Sequence, residues 1–120
     1  MAKQYYKLVI NGRTEIVWLA KQTYLHPRTL CVQMYDTEDL PFATITKNLC
    51  SKRQSFSRAF IDTNNCPWAE QFLVGYNLAH PAENIRATSG YCSYPLYEFD
   101  LDALMKSPAQ EGGEIDWKSI

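Results

Sequence analysis

The sharpest candidate for chemistry in this sequence is Cys66, within Asp62-Thr63-Asn64-Asn65-Cys66-Pro67-Trp68. A thiol at the start of a helix has its thiolate stabilised by unpaired backbone N–H groups and the helix dipole. In a thiol-dependent enzyme His80 would serve as the base, oriented by Asp62 or Asn64. The structural reading of the same residues is a buried cysteine packed beside Trp68, since free cysteine behaves as a small hydrophobe. Spacing favours that second reading. A ten-residue helix is about 15 Å long, so His80 at its far end meets Cys66 only if the chain doubles back.

Three further groups of residues invite a functional reading. Asp62, Thr63, Asn64 and Asn65 offer oxygen atoms to a hard cation, but they lack the repeated acidic spacing and distal glutamate of a calcium loop. Turn and cap duty suits them better, with Asn64 or Asn65 accepting a helix amide. Trp68, Tyr91, Tyr94, Tyr97 and Phe99 are dense enough to line a binding surface, or simply to fill a core. Lys47, Lys52, Arg53 and Arg58 concentrate positive charge over a short polar stretch, which suits a local nucleic-acid contact or a solvated loop.

The elements that must carry these groups follow from periodicity. Ala59-Phe60-Ile61 is a short apolar run ended by the Asp62–Asn65 stretch, so a strand stops there. Pro67 suits a first helical position and Glu70 a first turn. Trp68, Ala69, Phe72, Leu73 and Tyr76 then form an apolar stripe, predicting a main helix over about 66–76 that lies on a sheet. Gly75 or Asn77 supplies its left-handed stop, with Pro81 beyond.

Upstream, Tyr5–Ile10 and Arg13–Ala20 flank Asn11-Gly12, a strong two-residue hairpin signal. One face of that hairpin carries Tyr6, Leu8, Ile10, Val17 and Leu19. The other, with Tyr5, Val9, Ile16 and Trp18, is hardly more polar, which implies a sheet covered on both sides or a homodimer. Thr29–Asp36 and Phe42–Leu49 extend the meander to four strands, and Cys50–Arg58 has the composition of a flexible loop. Residues 82–90 lack a pattern. Tyr91–Phe99 reads as an edge strand because Pro95 cannot donate to a ladder. Asp100 caps a short second helix over about 101–106.

The whole chain has 120 residues, 46% hydrophobic and 21% charged, with 8 Tyr and 5 Phe, enough for one core without metals or disulfides. Its formal net charge of −1 supplies no global field toward nucleic acid or anionic lipid. The four cysteines, Cys31, Cys50, Cys66 and Cys92, include no C-x-x-C pair, so zinc is not expected and reduced thiols are. No metal and no cofactor is implied. Apolar runs are too short for a membrane helix, and the N-terminus lacks a leader, giving a cytoplasmic expectation. The organisation expected is one domain over 1–106 and a tail over 107–120. Ile115, Trp117 and Ile120 in that tail would dock on the domain, add to a partner's surface or stay free.

Three segments, TLCVQMYDTEDLPFATITKNL, AFIDTNNCPWAEQFL and SGYCSYPLYEFDL, resemble a small uncharacterised domain family of gut bacteria and their plasmids, conjugative elements and phages. The resemblance spans Thr29 to Leu101, is most specific at Asp62–Asn65 and Tyr94–Glu98, and brings no activity with it. It departs at Cys50–Arg58 and beyond Ser107. It implies a module of a bacterial mobile element that works by binding. The expected fold is therefore α+β, one antiparallel sheet of five to six strands with the main helix on one face. The expected role is a non-catalytic protein-binding or regulatory module, monomer or homodimer, whose surface includes Asp62, Asn64, Asn65, Trp68, Tyr91, Tyr94 and Tyr97. The alternatives are a thiol-dependent enzyme using Cys66 and a nucleic-acid contact through Lys47, Lys52, Arg53 and Arg58.

Overall fold

The computed structural model describes residues 4–106, with positions 105 and 106 described in backbone only. The tail expected over 107–120 lies outside the described residues. Strands β1 (Tyr6–Ile10) and β2 (Arg13–Thr23) form the hairpin predicted around Asn11 and Gly12, whose φ angles are 51° and 81°. Ile10 pairs with Arg13 directly across the turn. Positive φ at both central residues matches the right-handed strand twist, which is why Asn-Gly works here. β3 (Leu30–Asp36) and β4 (Pro41–Thr44) complete the order β1-β2-β3-β4.

The expectation of one sheet of five to six strands is corrected, because there are two sheets. The single strand expected over Phe42–Leu49 divides at Ile45. Its second part, β5 (Thr46–Lys47), pairs with β6 (Arg58–Ile61) rather than with β3. The second sheet runs β5-β6-β8-β7, with β7 spanning Ala79–Ser89 and β8 Cys92–Phe99. Ile45 and Thr46 are both buried, so the strict alternation of a flat strand is broken where the chain changes sheets.

The switch is held by hydrogen bonds to both sheets. The Ile45 N–H donates to the Val32 carbonyl at 3.1 Å, and its own carbonyl accepts from the Asp62 N–H at 2.9 Å. Thr46 Oγ1 accepts from the Val32 N–H at 3.1 Å and shares a hydrogen bond with the Tyr24 hydroxyl at 2.8 Å.

The predicted edge strand Tyr91–Phe99 is central instead. Pro95 pairs with Arg86 where β7 shifts register between Pro81 and Arg86, so its missing N–H falls at a bulge. β7 also occupies most of the stretch that lacked a pattern. Glu83 and Asn84, both at φ 56°, form the irregularity that hid it. Helix α1 is shorter than expected, Ala69–Gly75, and begins after consecutive turns rather than at Cys66. Its end matches a Schellman motif, with Asn77 at φ 58° and the Leu78 N–H donating to the Leu73 carbonyl at 2.8 Å. The second helix is one 3-10 turn, Leu101–Ala103, capped by the Asp100 side chain. β9 (Met105–Lys106) follows and pairs in parallel with β2.

One core joins both sheets and the helix. Leu19, Val32 and Met34 meet Ile61, Phe99, Phe72 and Leu73 within it. Phe60, Tyr94 and Leu96 form a smaller cluster on the far face of the second sheet.

Thr46→Val keeps the side-chain shape but deprives the Val32 N–H and the Tyr24 hydroxyl of their partner. Urea denaturation is expected to show a loss of about 1–3 kcal/mol, with Thr46→Ser recovering most of it.

Candidate functional site

The structure separates the residues of the proposed thiol site. Cys66 is buried, and its Sγ donates weakly to the Thr44 carbonyl at 3.8 Å. Burial, helped by the negative charge of Asp62, pushes its thiol up to about 11. That is opposite to the lowered value an activated cysteine needs. His80 stands exposed on β7, paired across the ladder with Glu98. It follows the helix in a strand and is not at the end of the helix. Cys31 is also buried and its thiol raised, chiefly by burial, whereas Cys50 is exposed.

Asp62 organises the turn that precedes α1. Its carbonyl accepts from the Cys66 N–H at 2.7 Å, and its carboxylate accepts from the Asn65 side chain at 2.9 Å and the Asn65 N–H at 3.3 Å. The assignment of Asn64 or Asn65 as the helix cap is therefore corrected. The cap position is Trp68, with helical dihedrals and no side-chain cap bond. Asp62 does the pairing from further upstream, and being buried it offers little to a partner. Among the described residues no cluster of three His, Cys, Asp or Glu side chains is arranged to hold a metal ion.

The aromatic residues do not form one surface. Tyr97 is buried in the shared core and its hydroxyl donates to Glu70 at 2.8 Å; burial, with that hydrogen bond second, pushes the phenol up to about 12. Tyr94 is buried on the opposite face of β8, where the Lys47 ammonium lies 5.9 Å from its ring centre. Tyr91 is fully exposed at the β7–β8 turn. Alternation along β8 already separates Tyr94 from Tyr97, and burial then takes both away from the solvent.

The basic residues are likewise dispersed. Arg58 pairs with Glu98 at 2.7 Å, which lowers the Glu98 carboxyl below its ordinary value. Lys47 is over Tyr94, and Lys52 and Arg53 remain at an exposed turn. The segment expected to be flexible is built around buried Gln54. The Gln54 side chain donates to Thr29 Oγ1 at 2.9 Å and to Asn48 at 3.1 Å, and accepts from the amides of Leu49 and Ser51. A fully paired buried amide fixes such a loop without regular structure.

One open feature is a groove of about 350 Å³ between β1 and α1, lined by Lys7, Val9, Trp68, Gln71, Gly75 and Tyr76 among others. Tyr76 reaches the edge of β1, where its hydroxyl accepts from the Lys7 N–H at 3.1 Å and donates to the Lys7 carbonyl at 3.0 Å. Edge-to-face contacts of Tyr6 with Phe72 and Tyr76, at 6.0 and 4.8 Å, fix the helix against that strand. Exposed Tyr5, just before β1, and exposed Val9, Ile16 and Val74 on β1, β2 and α1 carry apolar surface. Trp68 was expected in a binding surface and lines this groove. Lys7, Gln71 and Tyr76 were not anticipated; the signal available was the apolar outer face of the first hairpin.

Two antiparallel sheets around one short helix, with a buried thiol and dispersed charges, define a mostly β domain. The family model described as Domain of unknown function (DUF4313) matches residues 18–115, and the chain belongs to that family. No curated protein and no solved structure is detectably similar to it. Among the described residues no helix is long and apolar enough to cross a membrane.

In the native protein, iodoacetamide is expected to modify Cys50 readily and Cys66 only after denaturation, read by peptide mass spectrometry. Because folding raises the Cys66 value, its effect on stability is absent below about pH 8.5, where an unfolded thiol starts to ionise. Stability then falls as pH rises toward about 11. Denaturation midpoints of Cys66→Ala across that range are expected to fall less steeply than those of the wild type.

Proposed function

We propose that this chain is a non-catalytic protein-binding or regulatory module, and that its binding surface is the β1–α1 groove with the adjoining apolar face of β1. The observation that carries the reading is the exposure of Val9 (61%) and Tyr76 (42%) in the lining of that groove. Apolar side chains grouped beside a concave surface suit a polypeptide partner that seats an apolar side chain between Trp68 and Tyr76. Lys7 at the rim favours a carboxylate on that partner.

The surface expected over Asp62–Trp68 and Tyr91–Tyr97 moves accordingly. Trp68 stays within it, Asn64, Asn65 and Tyr91 remain exposed outside it, and Asp62, Tyr94 and Tyr97 serve the fold. The thiol reading loses support from the raised Cys66 value, and the nucleic-acid reading from the Arg58–Glu98 pair. A bacterial mobile element and a cytoplasmic site of action are parts of the same proposal. The first is supported by the resemblance of the three sequence segments. Function as a monomer or homodimer fits equally, since the β1 face would serve either a foreign partner or a second copy.

The test uses tagged full-length protein, wild type and Val9→Glu/Gln71→Glu, both lining positions of the groove, as bait in nuclease-treated lysate of the source organism. Both substitutions are at exposed sites, so stability is expected to change by no more than about 0.5 kcal/mol each. A stoichiometric protein held by the wild type and lost by the folded variant supports the groove. Equal capture by both places binding elsewhere.

A further inference from the structure

We propose that the β1–α1 groove receives the free C-terminal end of a partner polypeptide, added antiparallel to the edge of β1 with its terminal carboxylate at Lys7. The proposal rests on the reading of that groove as a protein-binding surface and names what it binds. Opposed residues of an antiparallel pair alternate between those that exchange main-chain hydrogen bonds and those whose N–H and C=O point away from each other. Ile10 and Arg13 close the two-residue turn, and the Lys7 N–H and C=O both bond to the Tyr76 hydroxyl, at 3.1 and 3.0 Å. Lys7 therefore turns its main-chain groups to the outer edge of the sheet, and so does Val9, two residues on. Among the described residues no other element bonds to the Val9 N–H or C=O, and β1 is the last strand on its side of the sheet. An edge left in this state is a template for another strand.

The shape of the groove selects the part of a chain that fits. Tyr76 closes it at Lys7, because its hydroxyl already occupies the place of a neighbouring strand's peptide group. A strand that enters beside Val9 and runs toward Lys7 must end there, and that direction is antiparallel to β1. Its penultimate residue exchanges both main-chain bonds with Val9 and lays its side chain beside exposed Val9 on the outer face. Its last residue lies opposite Leu8 and directs its side chain as Leu8 does, toward α1. There Trp68 and Gly75 bound the space, and a Cβ at Gly75 would meet nothing within 4 Å. Apolar residues at the last two positions suit both surroundings. The terminal carboxylate then falls opposite exposed Lys7, and among the described residues no carboxylate of this chain lines the groove to oppose it. The volume of about 350 Å³ is at the lower end for ligand pockets, which matches a chain end and not a folded surface.

The test uses isotope-labelled full-length protein and a pool of synthetic hexapeptides carrying Val, Leu or Ile at the last two positions and mixed residues before them. Titration with the free-carboxylate pool is expected to move the Val9 amide resonance and slow its exchange with solvent. The C-terminally amidated pool is expected to bind about tenfold more weakly. Gly75→Leu fills the groove without a clash and replaces a helix glycine, so it keeps a wild-type or higher melting temperature while losing the Val9 response. An unmoved Val9 amide at millimolar pool, equal binding of the amidated pool, or an unchanged response in Gly75→Leu overturns the proposal. So does a Val9 shift that follows protein concentration without peptide, which puts a second copy in the groove. If the pool leaves Val9 unmoved while lysate capture still depends on Val9 and Gln71, the chain-end assignment fails and the groove reading stands.

Discussion

The structure depends on one residue's worth of backbone, Ile45, whose N–H belongs to the first sheet and whose carbonyl belongs to the second. A buried peptide group must be paired, and here the two halves of the pairing lie in different sheets. The register of β4 against β3 thereby fixes the register of β5 against β6. Thr46 completes the junction by supplying the Val32 amide with a hydroxyl where the ladder from β4 has ended. The next consequence is at Asp62, whose amide meets Ile45 and whose carbonyl and carboxylate then shape the turns before α1. Helix position, and with it the groove against β1, descends from that junction.

This arrangement explains why residues with chemical potential are used for architecture. Cys66 lies beside the Thr44 carbonyl at the sheet switch, where burial keeps it a thiol. Tyr97 spans from β8 to Glu70 and ties the helix to the second sheet. Gln54 holds the loop that returns the chain from β5 to β6. With these groups committed inside, the β1 side keeps the exposed apolar side chains Val9 and Ile16 and the groove against α1.

The legible parts of the sequence were those with local causes. Asn11-Gly12 needs only its own φ preferences to make a hairpin, and the Phe72–Leu73 stripe needs only helical periodicity to point at a core. Asn77 and Asp100 act within a few residues of themselves, and both were readable as helix punctuation. What was not legible depends on partners distant in sequence. Phe42–Leu49 has the composition of one strand, and only the competing pairing with β6 divides it at Ile45. Pro95 reads as an edge signal because the rule assumes a regular ladder; the bulge that accommodates it is made by Glu83 and Asn84 on another strand. Asp62–Asn65 looks like a cap, but its acceptor is aimed by the Ile45 contact and so serves the preceding turn. For the site, Trp68 was visible as a large ring at a helix start. Tyr76 was counted as part of the buried stripe, although its hydroxyl is at the edge of β1.

The most direct measurement of the central claim is native-state amide hydrogen exchange by NMR at Val32, Ile45 and Asp62. If the sheet switch holds the fold together, these amides exchange only through global unfolding, as slowly as the paired amides of β2 and β8, and with the same denaturant dependence. Exchange at Ile45 and Asp62 through local opening, while β2 and β8 stay protected, would contradict the account and leave the two sheets to be held by side-chain packing alone.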